Sequence, residues 1–191
     1  PTGPGWADAE RTVRALLAAE SPGTMEVILC DGSGGEGPPP EWDDPRLIVI
    51  DAPGESVFGL RALGVAASRG AVVAITEDHC VPAPDWPAEL LAAHARHPDA
   101  PAIAGAVDNG GTATAWDWAN FLVTFAEHIP PMDSAPAKRS PAVANGSFKR
   151  TLVDLPSDLE PGWLELKLMP DLVAAGRVAR DDGPRVIHDQ S

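Results

Sequence analysis

The sequence AVVAITEDHCVPAPDW, residues 71–86, determines how the rest of the chain is interpreted. The apolar run 71–75 has the length and composition of a strand that is buried on both faces of a parallel sheet. The run is followed by Glu77, Asp78 and His79, and two prolines shortly afterwards prevent the strand from continuing. The stretch therefore predicts a buried strand that ends in a group of polar side chains.

These three polar residues have two interpretations. In open α/β sheets, ligands bind outside the carboxyl ends of the strands, and carboxylate and imidazole groups are ligands for divalent metal ions. Alternatively, the residues form a solvated loop that leads into a helix capped by Asp85. Capping needs one acidic residue rather than three polar residues in a row, so the sequence favours a binding site.

The composition indicates a globular protein with an acidic surface. The chain has 191 residues, of which 44% are hydrophobic and 22% charged, and these values fit a single domain spanning residues 1–191. Its net charge of −14 disfavours a nucleic-acid partner, and an anionic substrate would need a divalent cation or a placed arginine. Cys30 and Cys80 are interpreted as free thiols in a reducing compartment. The sequence has no run of 18 apolar residues and no visible signal peptide, which predicts a soluble, cytoplasmic protein.

Strands alternate with helices along the chain, which predicts an α/β fold with a mostly parallel sheet. The predicted helices span residues 8–20, 56–69, 85–97, 114–128 and 163–175. The predicted strands span residues 26–30, 47–50, 71–75, 102–107, 142–144, 177–180 and 185–188. The aromatic residues of the fourth helix recur at helical spacing and are interpreted as core: Trp116, Trp118, Phe121 and Phe125.

Glycines after the first predicted strand form a G-x-G-x-x-G pattern from Gly32 to Gly37, and Asp51 lies 19 residues beyond the first of them. This pattern is the fingerprint of dinucleotide binding when a helix opens at the third glycine. Here the prolines 38–40 follow, and they disfavour helical backbone at that point. The dinucleotide interpretation is therefore disfavoured. A glycine-rich turn, or a loop in which Asp31 contacts a base or ribose, remains.

Several segments, in this order, resemble the motifs of family-2 glycosyltransferases of the GT-A fold. They are EVILCDGSGG (26–35), SVFGLRALGVAASRG (56–70), VVAITEDHCVPAPDW (72–86), ANGSFKR (144–150), a glutamate eleven residues before a glycine, and a closing VIH (186–188). The resemblance extends from residue 11 to residue 188. It implies a Rossmann-like three-layer α/β sandwich with a mostly parallel central sheet.

The resemblance also implies roles in nucleotide binding. The motif containing Asp31 and Ser33 would contact the nucleotide at its base, and Arg61 would help to hold it. Glu77 and Asp78 fall on the D-x-D motif, which in that family holds the ribose and the metal-bound diphosphate.

The resemblance implies a metal site and a catalytic base as well. Asp78, His79 and His188 would hold Mg²⁺ or Mn²⁺, and Glu165 would remove the proton from the acceptor hydroxyl. Two plainer interpretations stay open: Glu165 as an exposed helical residue paired with Lys167 or Lys149, and His188 as a histidine satisfied at a strand edge. The histidines that precede the last predicted strands are interpreted as surface residues: His94, His97 and His128.

The chain departs from the family pattern at three positions. Glu77 and His79 stand where aspartates are usual, which leaves open whether Asp78 or His79 binds the metal. Leu164 stands where the first acid of the catalytic pair is usual. The family's first strand normally precedes Pro1, so the resemblance implies a trimmed domain that lacks this strand.

The resulting hypothesis is a metal-dependent, inverting transfer of a sugar from a nucleotide sugar to an acceptor hydroxyl on a sugar or a lipid-linked molecule. Mg²⁺ or Mn²⁺ is the expected cofactor, and any membrane association, at the inner face, would come from segments outside this chain. The alternatives are a non-catalytic binding module with the same fold and, with less support, a dinucleotide-dependent oxidoreductase.

Overall fold

The computed structural model describes residues 6–141 and 143–189. The helices in these ranges are α1 (Trp6–Ala18), α2 (Val57–Ala67), α3 (Trp86–Arg96), α4 (Ala115–Phe125) and α5 (Met169–Ala174). The strands are β1 (Val27–Asp31), β2 (Leu47–Asp51), β3 (Val72–Ile75), β4 (Cys80–Pro82), β5 (Ala102–Asn109), β6 (Gly146–Lys149) and β7 (Val178–His188). The predicted α/β class is confirmed. Pro1, which the family's first strand was expected to precede, lies outside the described residues.

Side-chain caps explain where two of the helices begin. Ser56 accepts a hydrogen bond from the Gly59 amide at α2, and Thr114 forms a capping box with Asp117 at α4. Asp85 precedes α3 but makes no side-chain cap bond. The predicted helix 163–175 divides into a π-helical turn, Trp163–Leu168, and the short helix α5, because a proline at the start of α5 removes a backbone donor.

The strands form two sheets. β1 and β2 make a parallel pair, and the second sheet has the order β3-β6-β5-β7-β4. In the second sheet only β5 and β7 are parallel, so the prediction of a mostly parallel central sheet is wrong: the sheet is mixed. Alternation of helices and strands along the sequence does not determine the relative direction of neighbouring strands. Here two short strands, β4 and β6, run antiparallel to their neighbours.

Three strand predictions need correction in detail. β4 was not predicted, because Pro82 was expected to prevent any strand at this position. Proline is tolerated on an edge strand, and β4 lies at the edge of its sheet. The predicted strands 177–180 and 185–188 are one strand, β7, with a register shift opposite Gly105 and Ala106. Residues 143–144 form a turn before β6, and Ala142 lies outside the described residues.

A groove separates the two sheets. Its cavity has a volume of about 700 Å³ and is lined by consecutive residues of both bordering strands, 27–30 of β1 and 72–75 of β3. Among the described residues, β1 is paired only with β2 and β3 only with β6. β3 is therefore an edge strand with one buried residue, Val73, rather than a strand buried on both faces.

Burial corrects two interpretations of side chains. Phe121 and Phe125 of α4 are in the core, as predicted, but Trp116 is 78% exposed and Trp118 is 44% exposed. The surface assignment of His94 and His128 is wrong, since their exposed fractions are 4% and 5%. In the described part of the chain, no helix is both long and apolar enough to cross a membrane.

Candidate metal and nucleotide site

A tight turn after β3 places three potential ligands close together. The Cys80 amide donates a hydrogen bond to the Glu77 carbonyl at 3.0 Å, which closes the turn that contains His79. Cys80 then begins β4 and lies directly opposite His188 in the antiparallel ladder with β7. The turn and the ladder together bring residues 77–80 next to His188 at one edge of the sheet.

The side chains of Glu77, His79, Cys80 and His188, here called the ligand cluster, each offer one ligand atom within 4.8 Å of the others. The Nε2 atoms of His79 and His188 are 2.9 Å apart. Oε2 of Glu77 lies 3.7 Å from Nε2 of His79 and 3.9 Å from Nε2 of His188. One oxygen and two imidazole nitrogens suit a divalent ion of the first transition row, which includes Mn²⁺, one of the two ions that the resemblance implies.

Asp78 stands next to the ligand cluster rather than in it. Its Oδ1 atom lies 2.8 Å from Nδ1 of His79. This hydrogen bond lowers the pKa of Asp78 and raises the pKa of His79. A carboxylate on one ring nitrogen orients the imidazole and leaves the other nitrogen to bind a metal. The geometry therefore gives His79 the position of a ligand and Asp78 that of its orienting partner.

Burial shifts the pKa values of two further cluster members, His188 and Cys80. Burial, with a contribution from the neighbouring His79, lowers the pKa of His188 to about 4. Burial also raises the pKa of the Cys80 thiol to about 12. The His188 ring further packs against Phe125, with centroids 4.5 Å apart. A neutral imidazole is the form of histidine that binds metal ions.

Arg61 of α2 connects the ligand cluster to Glu165. Its guanidinium donates to Oε1 of Glu77 at 3.0 Å and to Oε1 of Glu165 at 3.1 Å. The three side chains are 13–22% exposed. Glu165 is thus paired with Arg61 and not with a lysine, and its second oxygen, Oε2, is buried and has no hydrogen-bond partner in the described part of the chain.

Asp31 and Ser33 lie at the end of β1, where a nucleotide base was expected to bind. Oδ1 of Asp31 accepts a hydrogen bond from the Ser33 amide at 2.8 Å, which holds the glycine-rich loop against the strand end. Only a 3₁₀ turn, Pro40–Trp42, lies between β1 and β2, so no helix opens at Gly37. The lining of the groove reaches Cys30 but includes neither Asp31 nor Ser33.

Two cavities meet at the ligand cluster. The groove between the sheets is lined by Arg61, Glu77, Asp78 and His79. A second cavity of about 610 Å³ is lined by Glu77, His79 and His188 and by one side of α4, including residues 120 and 123–125. Both volumes fall within the range typical of small-molecule sites. The arrangement offers one compartment on each side of Glu77 and His79.

Sequence reasoning missed Cys80 as a member of the cluster and α4 as a cavity wall. Cys80 directly follows the polar triplet, but a cysteine beside a strand end carries no signal without its partner in β7. Trp116 and Val123 are both exposed although they recur at the helical spacing of core residues. Periodicity alone therefore predicted, wrongly, that Trp116 is buried.

Comparisons with known proteins identify the fold. The structure resembles crystal structures of GalNAc-T7 with UDP, GalNAc and Mn²⁺ (TM-score 0.59, 15% identity) and of residues 1–349 of TarS from S. aureus (TM-score 0.57, 12% identity). The matches cover 97% and 95% of this chain but only 41% and 56% of those chains. Both are glycosyltransferases of the GT-A type.

The chain therefore has a GT-A fold, with a mixed rather than a mostly parallel central sheet. A scan against protein-family models finds no match, and a search of curated protein sequences finds none either.

Proposed function

We propose that the chain transfers a sugar from a nucleoside-diphosphate sugar to an acceptor hydroxyl, with inversion at the anomeric carbon and with a divalent metal ion as cofactor. The observation that carries the proposal is the ligand cluster at the junction of two cavities, joined through Arg61 to Glu165. The GalNAc-T7 structure contains UDP and Mn²⁺ in the same kind of fold, which supports a nucleotide sugar as donor.

The donor is assigned to the groove and the acceptor to the second cavity. Next to the groove, at the end of β1, Asp31 and Ser33 would hold the base side of the nucleotide, and within it Arg61 and Asp78 would lie near the diphosphate. Asp78, His79 and His188 were expected to hold the metal; in the proposed arrangement His79 and His188 bind it with Glu77, and Asp78 orients His79. The ion, when bound, would supply positive charge to the leaving diphosphate.

Glu165 is proposed as the general base. It would accept the proton of the acceptor hydroxyl while the oxygen forms a bond to the anomeric carbon and the bond from that carbon to the diphosphate breaks. Oε1 of Glu165 is bound to Arg61, whereas Oε2 is buried and has no hydrogen-bond partner among the described residues, so Oε2 would accept this proton after a side-chain rotation that brings it to the acceptor. A single displacement of this kind inverts the configuration.

Nucleotide binding is tested by thermal shift. We expect UDP or GDP to raise the melting temperature in the presence of Mn²⁺ and to do so less after chelation, because ligands that bind only the folded state stabilise it. Absence of any shift with either nucleotide, with or without Mn²⁺, would contradict the proposal.

Catalysis is tested with Glu165→Gln, and Glu160→Gln on the exposed segment before the π-helical turn serves as the matched control. Loss of a general base costs about 10²–10⁴-fold in turnover. We expect Glu165→Gln to lose donor hydrolysis and sugar transfer by that factor while it keeps nucleotide binding, and Glu160→Gln to behave as wild type.

A non-catalytic binding module is the second candidate, and one observation favours it. Glu165 is included in the lining of neither cavity and is bound to an arginine. If this candidate is correct, nucleotides bind as tightly to Glu165→Gln as to wild type and no donor turnover is detected in either protein.

A further inference from the structure

We infer that the ligand cluster is a zinc-type site in which the Cys80 thiolate is a metal ligand together with His79, His188 and Glu77. The inference rests on the proposed function only in placing a metal ion at this position. It differs from the expected Mg²⁺ or Mn²⁺ site because it adds a sulfur ligand and excludes Asp78 from the ligands.

The geometry around Cys80 carries this inference. Cys80 is fully buried, and its direct ladder partner His188 is 8% exposed, so their side chains form the closed floor of the cluster. The side chains of Glu77 and His79 are 22% and 44% exposed and form its open side. A buried nitrogen of His188, Nδ1, has no hydrogen-bond partner among the described residues. Four ligands therefore approach one point from two strands and the turn between β3 and β4.

The spacing of the ligand atoms suits tetrahedral zinc. Zinc bonds of about 2.0–2.1 Å to nitrogen and 2.3 Å to sulfur place tetrahedral ligand atoms about 3.3–3.6 Å apart. The cluster's ligand atoms lie within 4.8 Å of one another, and two of them, the histidine Nε2 atoms, are 2.9 Å apart. These separations lie on both sides of the tetrahedral spacing, so we expect small side-chain rotations to bring the ligand atoms to bonding distance.

The donor chemistry separates zinc from the alternatives. Mg²⁺ requires octahedral oxygen ligands and usually binds through one or two carboxylates and several waters. The cluster contains one carboxylate, two imidazoles and one thiol. Imidazole and thiolate select zinc over magnesium and manganese, and affinity rises from Mn²⁺ towards Zn²⁺ for such sites. On binding, the Cys80 S–H bond breaks, its proton leaves to solvent and a sulfur–metal bond forms without any change of oxidation state.

Co²⁺ and Zn²⁺ serve as probes on the metal-free full chain. Titration with Co²⁺ should give one bound ion with the visible bands of tetrahedral cobalt and an ultraviolet sulfur-to-cobalt charge-transfer band. Cys80→Ser should lose that band and bind Zn²⁺ about 100-fold more weakly or worse, a loss at the upper end of that seen for outer-shell changes. Cys30→Ser, at the other free cysteine, is the matched control and should keep the charge-transfer band and the wild-type affinity for Zn²⁺.

X-ray absorption on the wild-type zinc complex keeps the test independent of whether Cys80→Ser folds. A sulfur neighbour at about 2.3 Å from zinc supports the inference. A spectrum with nitrogen and oxygen neighbours only overturns it. Binding of Mn²⁺ that is unaffected by Cys80→Ser likewise overturns the role of Cys80 but leaves the proposed function intact. Failure of every divalent ion to bind contradicts both.

Discussion

At the scale of single residues, Arg61 lies between two carboxylates of the candidate site. Its guanidinium binds Glu77 and Glu165, and its side chain is 15% exposed. Removing one partner of a largely buried ion pair leaves the remaining charges without compensation. The site therefore depends on Arg61 for its assembly, in addition to the role in nucleotide binding that we propose for this residue.

Arg61→Gln tests this dependence. We expect it to lower the free energy of unfolding by roughly 2 kcal/mol, since two carboxylates then face each other without their cation, and to abolish the nucleotide thermal shift. Urea unfolding measures the first effect. Arg69→Gln is the control, because Arg69 also pairs with a glutamate, Glu26, but its side chain is 79% exposed. Equal losses in the two variants would contradict the structural role of Arg61.

His94 gives a pH dependence that is independent of the candidate site. It is 4% exposed, and burial, followed by the charge of nearby Lys149, lowers its pKa from 6.5 to about 4. The unfolded chain binds a proton near pH 6.5, so between pH 4 and 6.5 it holds more protons than the folded protein. The contribution of His94 to the free energy of unfolding is thus complete above pH 6.5. This free energy decreases as the pH falls from 6.5 to 4.

His94→Gln should remove this part of the pH dependence. Glutamine places an uncharged amide where Nε2 of His94 lies 2.9 Å from the Ser147 hydroxyl. We expect the slope of unfolding free energy against pH below 6.5 to decrease by up to one proton, about 1.4 kcal/mol per pH unit. Chemical unfolding of the wild type and the variant at pH 5 and pH 8 measures this slope. The difference between the two proteins at pH 8 gives the loss of stability that comes from altered packing alone. An unchanged slope would show that His94 is protonated in the folded state.

At the scale of the elements, Asn145 joins two strands and a helix behind the candidate site. Its Oδ1 accepts a hydrogen bond from the indole of Trp86, and its Nδ2 donates to the carbonyls of Ala106 and Pro184. A Cβ atom at Gly105 would lie 2.4 Å from this amide, so the close approach requires glycine there. The asparagine of the ANGSFKR motif is therefore a buried cross-link between α3, β5 and β7.

Asn145→Ala should be strongly destabilising. It leaves one buried donor and two buried acceptors without partners, and each costs about 1–3 kcal/mol. We expect a loss of roughly 3 kcal/mol or more in unfolding free energy, measured by urea unfolding. Asn120→Ala on the exposed face of α4 should change it by no more than about 0.5 kcal/mol. A small loss at Asn145 would indicate that water replaces its hydrogen bonds.

The same elements show what sequence could and could not predict. Positions of the long elements followed from periodicity and caps, as at α2, where Ser56 and the apolar run mark the start. Strand direction did not follow, because the antiparallel pairing of β6 with both β3 and β5 depends on contacts distant in sequence. Arg61 and Glu165 were singled out only through a resemblance, since residues 104 apart in sequence give no local signal that they pair.

At the scale of the whole molecule, the groove between β1 and β3 divides what would otherwise be one sheet. Each strand has one edge with ladder partners and one edge that borders the cavity. Unpaired strand edges expose backbone donors and acceptors, and they are the positions at which an extended segment can add to a sheet. Glu26 partly bridges the groove at one end, where Oε1 accepts a hydrogen bond from the Gly70 amide at 3.1 Å.

Hydrogen exchange followed residue by residue tests this division. Alternate amides of β1 and β3 point towards the groove and have no ladder acceptor among the described strands, so we expect them to exchange with little protection. Amides of β5, which has a partner strand on each side, should exchange slowly. The neighbouring amides of β1 and β3 that face β2 and β6 serve as internal controls. Uniform protection along both strands would mean that β1 and β3 pair directly in solution. The groove would then be closed, and the compartment assigned to the nucleotide would not exist in the free protein.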